Sequence, residues 1–408
     1  MFYGNSQIIH KSVSQIIFNI INILWRNFLM ANSPSNFLIA ANDEHGINPP
    51  TPGKRTPMMP YIDRQIYENE WNYAVKNAFL ADCLRIGFNI FDVKPNRQDL
   101  PINNRVNAVN RVNPTCLVTF AYNAFGDGTT FNQANGLEVF YSPNNSFASR
   151  SLNLSNAVYN EILTDTTLNG RGVKTLDVAM LTAVRTPATL IEAGFMTNFE
   201  EAKLMLDPDQ VHTIGRATCR GICEYLDVQY VPIQDVTFPT IRSGSRGRYV
   251  RYLQFVLSKL NYAVGTIDGA FGTNTANAVR AFQQANGLTP DGIVGRNTWY
   301  KLNNLTPDAR ILRKGSYGAE VRYLQQKLYS KLYNVGTIDG IFGDNTQRAV
   351  REFQGENGLN ADGIVGRNTW DYLMDSNRSR PLPTTQAPQN SNQPASFNTD
   401  TIFKPQSN

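Results

Sequence analysis

The chain has 408 residues, 41% of them hydrophobic and 17% charged, with a formal net charge of +5. That is length for two to four domains with ordinary cores. The mild basic excess suits a polyanionic surface, and without Lys/Arg runs interleaved with aromatics no nucleic-acid partner is expected.

Residues 1–35 read as an N-terminal extension. The apolar run at 16–25 is broken by Asn19 and Asn22 and followed by Arg26, too short and too polar for a stable membrane span. Met30-Ala31-Asn32-Ser33 resembles a natural start, so an over-extended start, a weak signal segment and a real helix are all compatible with this stretch. From 36 to 228, strand-like and helix-like segments alternate. Short apolar runs at 37–41, 88–93, 115–121, 137–141 and 188–191 predict strands, and the spacing of Trp71, Val75, Phe79 and Leu84 predicts a helix over 68–86. A closing helix is expected at 211–226. The alternation predicts an α/β fold, a mostly parallel sheet flanked by helices. Cys83, Cys116, Cys219 and Cys223 contain no Cys-x-x-Cys pair and read as buried or free thiols. Residues 229–241, with two prolines and no periodicity, read as a linker.

Beyond the linker one module is written twice, at 242–304 and 311–375. Asp268-Gly269-Ala270-Phe271-Gly272 answers Asp339-Gly340-Ile341-Phe342-Gly343, and Asp291-Gly292 to Trp299 answers Asp362-Gly363 to Trp370. Matched residues (268 and 339, 282 and 353, 299 and 370) keep one offset, 71 positions, which marks duplication of a folded unit. Each copy predicts three short helices: the first carries an apolar stripe (Leu253, Val256, Leu257, Leu260), and the second is stopped by Gly287 or Gly358. Phe282, Phe353, Trp299 and Trp370 read as core, and the four aspartates as turn-formers. Residues 376–408, rich in Pro, Gln, Asn, Ser and Thr, are expected to be a disordered tail.

Three residues of the α/β segment carry candidate chemistry. Glu192 is expected just past a buried strand, where open α/β sheets assemble active sites and an apolar rim lifts a carboxyl toward neutrality, as a general base needs. His45, after the first apolar run, and Glu68, opening the first long helix, make a partial zinc site, since zinc accepts mixed nitrogen and oxygen ligands.

The duplicated module resembles the three-helix peptidoglycan-binding domain of bacterial and phage wall hydrolases, including its leading Gly-x-x-Val-x-x-Leu-Gln region (Gly244, Val250, Leu253, Gln254; Gly315, Val321, Leu324, Gln325). The α/β segment resembles the zinc-dependent N-acetylmuramoyl-L-alanine amidases. The motifs that carry this, in family order, are Asp43-Glu44-His45-Gly46, Thr51-Pro52-Gly53-Lys54-Arg55-Thr56-Pro57, Tyr67-Glu68-Asn69-Glu70-Trp71-Asn72, Arg105 with Asn110, Gly136-Leu137-Glu138, Arg171-Gly172-Val173-Lys174 and Leu190 to Asn198. The resemblance implies one zinc ion with His45 and Glu68 as ligands, and Glu192 as the catalytic base. It also implies peptidoglycan as partner and an extracytoplasmic place of action, in the cell wall or periplasm. Two departures matter. Where the family has Ser-x-His-x-Asn-Ala, this chain reads Thr119-Phe120-Ala121-Tyr122-Asn123-Ala124, so the second ligand histidine is Ala121. In the first motif Asn42 replaces an aspartate and Glu44 a glycine, which makes Asp43 or Glu44 alternative oxygen donors; His212 is not expected to substitute. Two functions follow from these motifs: an amidase anchored on the wall by its modules, or a degenerate amidase that docks on the wall without cutting it.

Overall fold

The computed structural model describes residues 32–47, 54–303, 311–375 and 377–383. The expected extension up to residue 31 and the tail beyond 383 lie outside these. The α/β segment comprises, in chain order, β1 (Leu38–Asp43), α1 (Glu68–Ile86), β2 (Asn89–Asp92), α2 (Ile102–Val112), β3 (Cys116–Asn123), β4 (Leu137–Tyr141), α3 (Ala148–Asp165), β5 (Gly170–Thr175), α4 (Ala179–Thr182), β6 (Ala188–Phe195), α5 (Phe199–Leu204) and α6 (Pro208–Tyr225). One six-stranded sheet has the order β2-β1-β3-β6-β4-β5. All neighbours are parallel except β4 and β6, which run antiparallel.

Helices cover both faces, as parallel strands require. Alternation along the strands sorts the side chains. Ile39, Val118, Phe120, Val139 and Ile191 pack with α1, α3 and α6 on one face. Ala40, Leu117, Ala121, Phe140 and Leu190 pack with α2 and α4 on the other. Two glycines let α6 approach closely: a Cβ on Gly215 would meet the Phe79 nitrogen at 2.8 Å, and one on Gly221 the Cα of Val158 at 2.7 Å.

Helix α1 runs from Glu68 to Ile86, the expected span. Strand β6 is longer than its apolar run, so Glu192 stands inside the strand and not past its end. The four cysteines are free and buried. The expected boundary at 36 also moves: Asn32 is tied to the end of the segment, its N–H donating to the Asp227 carbonyl at 2.7 Å and its Nδ2 to that of Leu226 at 2.8 Å.

The first repeat holds α7 (Arg248–Lys259), α8 (Thr273–Ala285) and α9 (Arg296–Leu302); the second holds α10 (Ala319–Ser330), α11 (Asp344–Glu356) and α12 (Arg367–Met374). Four glutamines at matching positions of the two copies explain the Asp-Gly turns. Gln254 Oε1 accepts from the Gly269 N–H at 2.8 Å, while its Nε2 donates to Asp268 Oδ1, the Ala270 carbonyl and Thr275 Oγ1. Gln283, Gln325 and Gln354 repeat that clamp on Gly292, Gly340 and Gly363.

The two copies join the α/β segment differently. Core residues of the first, among them Val250, Leu253, Phe255 and Phe282, belong to one apolar cluster with Leu84, Ile86 and Phe88. The connecting segment is packed too: Phe238 stacks on Trp299 at 4.8 Å between ring centres, and Trp299 Nε1 donates to the Pro239 carbonyl. The second copy has its own core around Val321, Leu324, Phe353 and Trp370, and Leu332, buried in the larger apolar cluster, attaches it together with polar groups. Lys327 Nζ lies 3.0 Å from carboxylate oxygens of Asp207 and Asp209, and Arg64 Nε donates to Tyr329 Oη at 2.7 Å. The disordered tail expected from 376 does not begin there. Residues 377–383 pack back, with Arg380 bonded to Glu352 and Glu356 and lying over the Tyr333 ring, and Ser379 accepting from Lys203 Nζ. These charges, spread over distant stretches, overrule local composition.

Candidate active site

His45 sits just beyond β1 in the left-handed backbone region, at φ 60°, a conformation that costs a non-glycine residue on the order of 1 kcal/mol and is held by its surroundings. Those surroundings are a buried charge cluster. Asp43 is paired with Lys76 at 2.6 Å and Lys94 at 3.1 Å, and Lys76 with Asp92 at 2.7 Å. Asn69 Nδ2 and Lys94 Nζ both donate to the His45 carbonyl. Gly46 completes the turn, since a Cβ there would lie 2.5 Å from the Asp99 nitrogen.

His45 Nε2 lies 3.4 Å from Glu68 Oε2. Beyond this contact neither atom has a hydrogen-bond partner among the described residues, and both are buried. The first turn of α1 aims Glu68: its Oε1 accepts from Asn72 Nδ2 at 2.8 Å and from the Tyr122 N–H at 3.1 Å. Burial pushes the Glu68 carboxyl up to about 7 against the pull of those two donors. Burial, then Lys54, Arg105 and Lys94, hold the His45 imidazole well below its ordinary range, so it is neutral.

Glu192 is fully buried, and neither carboxylate oxygen has a hydrogen-bond partner among the described residues. Desolvation first, then the charges of Glu68, Glu138 and Glu44, raise it well above the usual carboxylate range. In register it stands between Ala121 of β3 and Glu138 of β4. The β3–β6 register shifts immediately after this pair, where Gly194 has φ 124°; such an irregularity re-aims side chains at a strand end. Glu138 is the opposite case: Arg171 Nε at 2.7 Å, Lys174 Nζ at 2.5 Å and Asn123 Nδ2 at 2.9 Å all serve it.

His45 and Glu68 are thus in contact, and Glu192 shares their buried electrostatic environment. The alternative donors do not join them. Asp43 is engaged by Lys76 and Lys94, and Glu44 by Arg105 Nη1 at 3.1 Å and Asn42 Nδ2 at 3.0 Å. His212, on α6, is pushed down to about 4 by burial and then Arg216, and its other charged neighbours are Asp209 and Asp82. Sequence reading gave no roles to Lys76, Lys94, Asn69 and Asn72. The available signal was lysines and amides at positions a helix or strand buries, opposite aspartates at two strand ends.

The residues fit a zinc ion only in part. A 3.4 Å gap between two donors is the edge of a tetrahedron with arms of about 2.0–2.1 Å. A catalytic zinc normally has three protein ligands, however, and position 121 offers a methyl group packed with Leu117, Phe140 and Leu190. Among the described residues no group of three or more His, Cys, Asp or Glu side chains is arranged to hold a metal.

Residues 45–224 match the family described as N-acetylmuramoyl-L-alanine amidase, and 246–302 and 317–373 each match the putative peptidoglycan binding domain. The chain is 42% identical over 105 residues to N-acetylmuramoyl-L-alanine amidase CwlM of Mycobacterium tuberculosis, covering 24% of this chain and 26% of that protein. It is 31% identical over 157 residues to amidase CwlL of Bacillus licheniformis, covering 32% and 43%. The chain therefore spans less than half the length of these relatives. Among solved structures, the CwlD amidase of Clostridioides difficile, determined with the GerS lipoprotein, is 24% identical with a TM-score of 0.41, covering 48% of this chain and all of that one. Residues 45–224 thus match the N-acetylmuramoyl-L-alanine amidase family, and two matches to the putative peptidoglycan binding domain follow that segment.

Proposed function

We propose that this chain hydrolyses the amide between N-acetylmuramic acid and the L-alanine of the peptidoglycan stem peptide, outside the cytoplasm, with its two repeats anchoring it to the wall. In this reading a catalytic unit ending near 228 is joined by a packed connector, 229–241, to binding units at 242–304 and 311–375. The observation that carries it is the buried approach of His45 Nε2 to Glu68 Oε2, with a second buried carboxyl, Glu192, that desolvation and then the charge of Glu68 raise well above the usual range. Glu192 would take the proton of the attacking water and return it to the leaving amine. His45 and Glu68 would hold a zinc ion, which when bound would polarise the scissile carbonyl. Tandem modules add avidity on an insoluble polymer through effective concentration.

Ala121 favours a second reading, a wall-docking protein that has lost metal and turnover. Metal analysis and a sacculus-lysis assay separate the two. Stoichiometric zinc with loss of turbidity, abolished by Glu192→Gln, supports hydrolysis. Sedimentation with sacculi without zinc or released amine leaves docking alone. Ala121→His is expected to tighten zinc binding at least about tenfold by restoring a third ligand; unchanged zinc affinity would mean that the ring at 121 cannot reach the His45–Glu68 pair.

A further inference from the structure

A cleft of about 550 Å³ lies at the seam between the outer edge of the sheet and the first repeat, lined by Tyr73, Asn89, Asp92, Arg251, Phe255 and Lys259 among others. This is the size of a small-ligand site, and domain seams are where such sites gather. Its charge balance is uneven. Asp92 is already bonded to the buried Lys76 at 2.7 Å. Lys259 Nζ reaches Asp92 Oδ2, Tyr73 Oη and the Pro95 carbonyl only at 3.4, 3.5 and 3.4 Å. Arg251 makes one contact of the same length, 3.4 Å to Asn89 Oδ1. These lie beyond the usual range of about 2.7–3.2 Å: Lys259 shares Asp92 with Lys76 in a long ion pair, and Arg251 has no carboxylate beside it, so the cleft carries a net positive charge.

One wall of the cleft is β2, which pairs with β1 and, among the described residues, with no strand on its other side. A free edge of this kind accepts an extended peptide through main-chain hydrogen bonds. The opposite wall belongs to the first repeat alone. Phe255 and Lys259 correspond to Gln326 and Ser330 in the second copy, while the structural Leu253 and Gln254 correspond to Leu324 and Gln325. Arg251 corresponds to Arg322, so duplication has kept that arginine along with what folds the module, and has changed the lysine and the aromatic ring beside it.

We propose that this cleft is a subsite for a peptide bearing a free carboxylate, with the carboxylate between Arg251 and Lys259 and the backbone along the outer edge of β2. It rests on the wall-hydrolase reading, in which stem peptides not being cut are the carboxylate-bearing peptides at hand. One wall comes from the catalytic unit and one from the first module, so occupancy braces the two against each other.

The test is calorimetric titration of the full chain with free stem tetrapeptides released from sacculi, and with the same peptides amidated at their carboxylates. Arg251→Gln with Lys259→Met, which keeps the alkyl stem over Phe255 and Tyr73, is expected to weaken binding at least tenfold. Amidation is expected to do the same to the unaltered chain, a measurement that stands even if the variant misfolds. Sedimentation with glycan strands stripped of peptide is expected to be unchanged by the variant. Equal binding of free and amidated peptide, or of variant and unaltered chain, overturns the subsite. Failure of the unaltered chain to sediment with intact sacculi instead overturns the wall reading and the subsite with it; normal sedimentation with indifferent peptide binding removes the subsite alone.

Discussion

Glu192 and Glu138 are direct partners across β6 and β4, yet one has no hydrogen-bond partner among the described residues and the other has three. Environments that separate two carboxyls in this way divide acid–base roles. A consequence for stability follows. A carboxyl whose folded pKa exceeds its unfolded one stabilises the fold fully below the unfolded value, about 4.3. That contribution is lost as pH rises through the folded value. Glu192, raised mainly by burial, and Glu201, which burial pushes up to about 7, act in the same sense; His45 and His212, held low by burial, act in the opposite sense below about pH 6.5 and add no slope above it. The metal-free chain is therefore expected to be more stable near pH 6.5 than near pH 8, each raised carboxyl contributing a slope of up to about 1.4 kcal/mol per pH unit within its window. Glu192→Gln is expected to flatten the profile and, on the proposed function, to abolish hydrolysis. Scanning calorimetry in chelator across that range checks this, and a midpoint that climbs with pH refutes it.

The closeness of α6 to α1 and α3 depends on single glycines. Gly221→Ala would drive a methyl into the backbone of Val158 at 2.7 Å, so a loss of about 1–3 kcal/mol by overpacking is expected in denaturant melts. In the repeats the corresponding weak point is the glutamine clamp. Gln354→Ala strands the Gly363 N–H, which Gln354 Oε1 now accepts at 2.9 Å, and is expected to cost about 1–3 kcal/mol. The second copy has a core of its own, so that loss should appear as earlier melting of that module alone. The same change at Gln283 should lower the transition of the larger unit, because the first copy shares its core with the α/β segment.

Across the whole molecule the two attachments differ in kind. Apolar burial holds the first repeat and is insensitive to salt. Lys327 on Asp207 and Asp209, Tyr323 on Asp209, Arg64 on Tyr329 and the buried Leu332 hold the second; Lys327 is itself buried, so salt screens its contacts only in part. Lys327→Ala, which leaves Asp207 and Asp209 without their lysine, and more so in about 1 M salt, is expected to loosen the second module and increase the radius of gyration in X-ray scattering while the first stays docked. An unchanged scattering curve in both conditions would show that the second contact is not ionic in origin. Because Arg64 also bonds Glu70 in the first turn of α1, at 2.8 and 3.1 Å, release is felt two residues from Glu68. Among the described residues no helix is long and apolar enough to cross a membrane.

The duplication, the helix opening at Glu68 and the α/β alternation were readable from the sequence, because turn glycines, caps and hydrophobic periods are set by residues a few positions apart. His45, Glu68 and Glu192 could be named from motifs, and so could the alanine at 121. The tertiary structure alone decided that Asp43 serves Lys76 and Lys94 and is no free donor, that Glu192 lies within β6 opposite Glu138, and that residues 377–383 fold back onto the second repeat. It also decided that one repeat shares its core with the α/β segment and that the other, with a core of its own, is clasped mainly by polar groups. Each of these depends on partners tens to hundreds of positions apart, brought together by strand register and buried charge, and no local pattern in the chain encodes such distances.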